Sequence, residues 1–272
     1  MKKNFADLHV HTNASDGESD PEEVVKLAGE AGLAAIGIAD HDSVSGIEKA
    51  LKVSKKYGVE VIPGIELSSE LKETEVHMLG YLIDWHDKPF QDLLRIIQGI
   101  RMWRAGVMVT KLNDLGINIS FKEVLAEAGA GAIGRPHIVR VMLKHGYVKN
   151  WDEAFERYLR IGCPAYVGKY EMSPAEAIQA IRRIGGIPVL AHPVFSNIDD
   201  KLPELIKEGL RGIEAYHLKH DPAVSEHYDK LARKYGLLIT GGSDSHGPEE
   251  PIGSAGVPYE YVERLKAEHK HL

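Results

Sequence analysis

ADLHVHTNASDG, residues 6–17, sets two imidazoles two residues apart and places a carboxylate five residues further on. Alternate residues of a strand point to one face. A strand through this stretch therefore presents His9 and His11 together at its end, and TNASDG is the loop that carries Asp16 back over them. Two imidazoles on one face beside a carboxylate are metal-ligand chemistry. Taken alone, the pair also reads as two polar residues at a strand end, and the rest of the chain has to decide.

Working outward, strand and helix alternate. DPEEVVKLAGEAG reads as a helix with Asp20 as N-cap and Pro21 at its first position. LAAIGIAD is a buried strand, SVSGIEKALKVSKKYG a helix ending at Gly58, and VEVIPGIELSSE and TEVHMLGYLID are strands. This rhythm implies parallel strands joined by crossover helices. From 88 to 162 the pattern turns helical, which predicts an inserted helical subdomain between two parts of one barrel, 1–87 and 163–272. Alternation then resumes through IPVLAHP, RGIEAYH and LLITGGSDSHG. The expected fold is α/β: a distorted seven-stranded (β/α) barrel, with a doubly wound open sheet as the alternative. Either places its chemistry at the carboxyl ends of the strands.

The 272 residues carry a net charge of −7, which argues against broad electrostatic binding to duplex DNA. No apolar run approaches the roughly 18 residues of a membrane span, and the first residues do not read as a secretory signal. One cysteine, Cys163, leaves no disulfide framework and suits the cytoplasm. The 14 histidines are many for this length, and their positions are the informative part.

The strand ends collect them. Beyond His9 and His11, the second strand ends at Asp40, His41 and Asp42, the third carries Glu66, and the next carries His77. After the insertion come His192, then Glu214, His217 and His220, then Asp244 and His246. Each alone is an ordinary loop residue or helix cap. Independent loop residues do not keep choosing metal-binding types at one end of a barrel. A set of imidazoles and carboxylates without thiolate favours Zn, Mn or Fe.

DLHVHTNASDG, IADHDS, GIELSS, HMLGYLID, AHP and GGSDSHG, in that order, resemble the motifs of the polymerase-and-histidinol-phosphatase (PHP) family of metal-dependent phosphoesterases. GRPHIVRVM in the insertion resembles the subgroup containing 3',5'-nucleoside bisphosphate phosphatases and a 5'-to-3' exoribonuclease. The resemblance implies two to three divalent metal ions. His9, His11, Glu66 and Asp244 would hold one. Glu66 would bridge to a second with His77 and His192, and Asp16, His41 and His246 would hold a third. Asp16 stands where some relatives have histidine. Glu66, Asp244 and His192 are the expected catalytic set, acting through a hydroxide shared between cations that also neutralise phosphoryl charge. Asp40 and Asp42 are read as groups that orient ligands or order loops.

Arg135 and His137 lie near a helix start, where a guanidinium and free N–H groups favour anions. From residue type alone Arg135 is also a solvated or interdomain residue; the GRPH resemblance makes the pair substrate-binding. His220 is a further substrate-binding candidate, with His217, Arg101 and Arg104 behind it. Cys163 reads as structural, and Tyr166, Lys169 and Tyr170 as linker residues or part of the cleft wall. The expected substrate is a phosphorylated small molecule, a 3',5'-bisphosphonucleotide or short 5'-phosphorylated RNA, with no membrane partner. The competing readings are a histidinol-phosphate-type phosphatase, a metal-dependent hydrolase of other bonds, and a metal-holding binding module without activity.

Overall fold

Seven strands close into a ring that begins with the strand of the opening motif. The computed structural model describes residues 4–72, 74–168 and 172–271, so Lys169 and Tyr170 lie outside the described residues. β1 (Phe5–Val10), β2 (Ala35–Ile38), β3 (Glu60–Leu71), β4 (Thr74–Tyr81), β5 (Ile187–Leu190), β6 (Gly212–His217) and β7 (Leu238–Gly242) follow one another around one sheet. A two-residue strand, β8 (Val257–Pro258), adds antiparallel to β1 outside the ring. The ring closes just beyond β7. Asp244 N–H donates to His9 O at 2.9 Å, and His11 N–H to Ser245 O at 3.0 Å. Closure needs Gly242, because a Cβ there would lie 2.4 Å from His9 Cβ.

One strand departs from the parallel expectation. β4 runs antiparallel to both β3 and β5, whereas the other ring pairs are parallel. The reason is the connection: β3 ends at Leu71 and β4 begins at Thr74. A link this short makes a hairpin, and a parallel crossover needs a dozen residues or more. The reversal brings the early part of β4 to the rim where the other strands end, with His77 opposite Ser68.

The helices start where their caps dictate. Asp20 accepts the Glu22 N–H at the head of α1 (Pro21–Glu30), and α2 (Ile47–Tyr57) stops at Gly58, which is left-handed at φ 66°. α3 (Lys88–Asp114) is long enough to serve two cores. Phe90, Leu94 and Ile97 pack into the barrel core with Ile65, Leu79 and Ile181. Further along, Ala105, Met108, Val109 and Leu112 build a second core with residues of α4 (Phe121–Ala128), α5 (Arg135–Lys144) and the turns up to Ala165. The later helices are α6 (Trp151–Ala154), continued by a π-helical turn to Leu159, α7 (Pro174–Arg183), α8 (Leu202–Glu208), α9 (Pro222–Tyr235) and α10 (Tyr259–His269). Among the described residues, no helix is long and apolar enough to cross a membrane.

The segment leading into α5 lies directly on the Asp16 loop. Ala132 N–H donates to Ala14 O at 3.0 Å, and a Cβ on Gly131 would meet Asn13 O and Ser15 O at 2.6 Å. Arg140 Nη2 donates to Asp16 O at 2.7 Å. Arg101 on α3 spans the junction, bonding Asp42 Oδ2 at 2.7 Å, Ser68 Oγ at 2.8 Å and Ile133 O at 3.2 Å.

Candidate metal centre

Glu66 lies at the centre, with no exposed surface, and its two oxygens face different sets of imidazoles. Oε1 is 2.9 Å from both His77 Nδ1 and His192 Nε2. Oε2 is 3.0 Å from His41 Nδ1, 3.3 Å from His9 Nε2 and 3.4 Å from His11 Nε2. Asp244 Oδ1 completes the second set, at 3.3 Å from His9 Nε2 and 3.0 Å from His11 Nε2. Beyond His11, Asp16 collects His246 Nε2 at 3.4 Å and His41 Nε2 at 4.0 Å. Three groups therefore offer converging ligand atoms: His9, His11, Glu66 and Asp244; His41, Glu66 and His77; and His11, Asp16, His41 and His246. The structure brings His192 to the Glu66 oxygen that His77 also faces, and all nine ligand candidates sit on one rim.

The second partners of these rings decide which nitrogen faces inward. His9 Nδ1 donates to Glu214 at 3.0 Å, so its Nε2 lone pair points to Glu66 and Asp244. Glu214 also accepts the His192 N–H at 2.8 Å. His246 Nδ1 donates to the Asp244 carbonyl at 2.8 Å, which turns its Nε2 toward Asp16. His217 Nδ1 accepts the Lys219 N–H at 3.0 Å, so Nε2 carries the proton, 3.3 Å from Asp244 Oδ2. Asp40 accepts from Thr12 N–H (2.7 Å), Thr12 Oγ1 (2.8 Å) and Ser15 Oγ (2.7 Å), holding the loop that carries Asp16. Asp42 accepts the Ser68 N–H at 2.9 Å. Asp7 ties β1 to Ser243 N–H at 2.9 Å and Gly253 N–H at 2.8 Å. Of these, Asp7 has no place in the sequence reading, yet it shares the strand face of His9 and His11.

The site holds non-glycine residues at positive φ and buried ligand atoms without hydrogen-bond partners, and a cation would supply the latter with a partner. His192 (φ 23°), Asp244 (φ 55°) and Asp42 (φ 48°) adopt positive φ, which is uncommon for non-glycine residues, as do Lys72, Leu82 and Asn197 outside the cluster. His11 Nδ1, Asp16 Oδ1, His41 Nδ1 and Glu66 Oε2 are buried with no hydrogen-bond partner. Buried polar atoms normally have one. Burial pushes the Glu66 carboxyl up, but the surrounding His41, His77 and His9 outweigh it and hold Glu66 well below the usual range. Burial, with His246 next to it, drives His11 down to about 3, leaving a neutral imidazole with one ring nitrogen free to act as a ligand, whereas for His9, His41, His192 and His246 burial is outweighed by the surrounding carboxylates, which raise them. A buried crowd of carboxylates interleaved with imidazoles fits divalent metal ions, which would take the place of the protons that balance the carboxylate charge here.

Above the cluster lies a cavity of about 500 Å³. His41, His77, His192 and Asp244 form its floor, and Arg135, Arg160, Ile161, Glu75 and Phe195 line its walls. Arg135 Nη2 donates to both oxygens of Glu75, at 2.7 and 2.8 Å, and Nη1 to Leu159 O at 3.3 Å. Its guanidinium lies over the rings of Phe155 and Tyr166, at 5.4 and 6.0 Å. His137 does not line this cavity. It is buried, and its Nδ1 accepts the Gly134 N–H at 2.9 Å, capping α5. His220 is buried behind His217, donating Nδ1 to Ala215 O at 3.0 Å and packing on Tyr228. Arg104 is buried on α3, its Nε bonded to Val167 O at 2.5 Å. Cys163 donates Sγ–H to Glu156 O at 3.1 Å.

Comparison with known proteins places this arrangement among others. The PHP domain family matches residues 7–164. A 5'-3' exoribonuclease of Haemophilus influenzae is 32% identical over 253 residues, 91% of this chain and 92% of that protein. A 3',5'-nucleoside bisphosphate phosphatase of Chromobacterium violaceum is 30% identical over 250 residues, 90% of this chain and 88% of that one. The crystal structure of a protein from Bifidobacterium adolescentis, assigned as a metal-dependent phosphoesterase, superposes with a TM-score of 0.89 at 29% identity, covering 96% of this chain and 95% of that one.

Proposed function

Since the chain belongs to the PHP domain family and is a metal-dependent hydrolase of phosphate esters, we propose that its substrates are nucleotides bearing a second phosphate: 3',5'-bisphosphonucleotides or the 5' end of short RNA. The observation that carries this reading is the cavity itself, with the cluster on its floor and the Arg135 guanidinium on its wall. One phosphate belongs on the floor and a second against Arg135, which suits a doubly phosphorylated ligand better than a simple ester. The similarity to an exoribonuclease and to a bisphosphate phosphatase over nearly the whole chain points the same way.

His9, His11, Glu66 and Asp244 would hold one Mn, Zn or Fe ion. Glu66, His77 and His192 would hold a second, and Asp16, His41 and His246 a third. Bound there, the ions supply an activated water and neutralise the charge on the phosphoryl oxygens. The chain's own residues prepare the site. Glu66 offers one oxygen to each side, which makes it the shared carboxylate. Glu214 fixes the tautomer of His9, and His217 holds Asp244 in register. Glu75 and Leu159 pin Arg135 at the cavity wall, and His137 holds the Gly134 turn from which Arg135 springs.

The test is a phosphate-release panel with added Mn. Adenosine 3',5'-bisphosphate and 5'-phosphorylated oligoribonucleotides are expected to exceed mononucleotides and histidinol phosphate in kcat/KM. A preference for histidinol phosphate or for singly phosphorylated esters overturns the assignment.

A further inference from the structure

Phe195 is a large apolar side chain left in water, 59% exposed, at the wall of the cavity. Single exposed apolar residues are ordinary on protein surfaces, so its setting matters more than its exposure. The turn that carries it is fixed: Phe195 N–H donates to His192 O, and Ser196 Oγ donates to Pro193 O, both at 3.1 Å. The ring centroid lies 5.3 Å from that of His192 and 5.8 Å from that of His217, perpendicular to the latter. The phenyl ring is thus braced against imidazoles on one side and open to the cavity. From the helical segment, Ile161 and Arg160 line the same space.

The cavity therefore combines three chemistries: a floor of metal-ligand groups for one phosphate, a guanidinium for another anion, and a braced aromatic ring with apolar and cationic company. The third has no use for a phosphate. We propose that Phe195 is the platform on which the substrate's nucleobase stacks, with Ile161 and Arg160 bounding the base from the insertion side. This rests on the nucleotide reading above and adds a specificity-determining residue to it. Every base has a π-face, so stacking tolerates base identity. The enzyme accepts purines and pyrimidines alike and discriminates strongly against substrates with no base.

The experiment compares adenosine 3',5'-bisphosphate with 1-O-methylribose 3,5-bisphosphate, which has both phosphates and no base, on the metal-loaded wild type and on Phe195→Ala and Phe195→Trp. In parallel, a non-hydrolysable phosphonate analogue of 2-aminopurine ribonucleoside 3',5'-bisphosphate is titrated against each protein, and stacking is read as fluorescence quenching. In Phe195→Ala, KM for the nucleotide is expected to rise roughly 5- to 150-fold, with kcat little changed. The preference over the base-free substrate and the quenching are both expected to be lost. Phe195→Trp restores both. A Phe195→Ala enzyme that keeps its preference and its quenching overturns the platform and leaves the nucleotide reading standing. A wild type that handles the base-free compound as well as the nucleotide also overturns the platform. A wild type that hydrolyses simple esters but no nucleotide overturns the nucleotide reading, and the platform with it.

Discussion

Glu66 is the residue on which the centre depends, because five imidazoles address its two oxygens from opposite sides. Glu66→Gln keeps the volume and removes the charge opposing two cations. Metal content by atomic analysis is expected to fall and turnover to drop by orders of magnitude; full metal content with near-wild-type turnover refutes a shared carboxylate. Glu214 works one step further out. It holds the His9 nitrogen that faces away from Glu66 and the His192 backbone N–H. Glu214→Gln is expected to weaken metal affinity about 10- to 100-fold in a metal titration of chelator-treated protein, and an unchanged affinity removes its orienting role. Most of these residues are legible in the chain, because imidazoles at strand ends stand out against ordinary loops. Glu75 is not legible: its meaning comes from Arg135, which lies 60 residues away on another element.

At the level of elements, the strand-end pattern reveals the ring but not the direction of every strand. Period-two alternation looks the same whichever way a strand runs. Only the short link between Leu71 and Thr74 marks β4 as reversed, and that signal is loop length rather than residue type. The helical stretch is legible as a change of period. Its seating on the Asp16 loop is not, because Gly131 and Ala132 approach through the backbone and Arg140 reaches a main-chain oxygen, Asp16 O, so that no pairing of side-chain types announces the contact. α5 carries the prediction that belongs here. Arg135 lies at its first turn, away in sequence from every metal-ligand candidate. Losing a charge-assisted contact to an anion costs about 1.5–3 kcal/mol, roughly ten- to a hundred-fold in kcat/KM. Arg135→Ala is expected to show that loss on bisphosphorylated nucleotides and much less on p-nitrophenyl phosphate, with metal content intact. Equal losses on both substrates mean that α5 does not read a second phosphate.

For the whole molecule, the metal ions act as ligands of the folded state only, because their candidate donors come from six ring strands and the loops that follow them. Free Mn at a hundred times its dissociation constant adds about 2.7 kcal/mol for a single site, or a rise of about 5–10 °C in Tm for a chain of this size. A calorimetric scan of chelator-treated against reconstituted protein measures it, and identical Tm values contradict a preformed multi-residue centre. The ring closure between β1 and the residue run after β7 also sets a schedule. His11 and Asp244 meet across 233 positions of chain, so the first ligands to leave the ribosome wait for nearly the last. A nascent chain that ends before β7 carries His9, His11, Asp16, His41, Glu66, His77 and His192 but lacks Asp244 and His246. The two candidate groups that include Asp244 or His246 are therefore assembled only once the strand that closes the ring has been made.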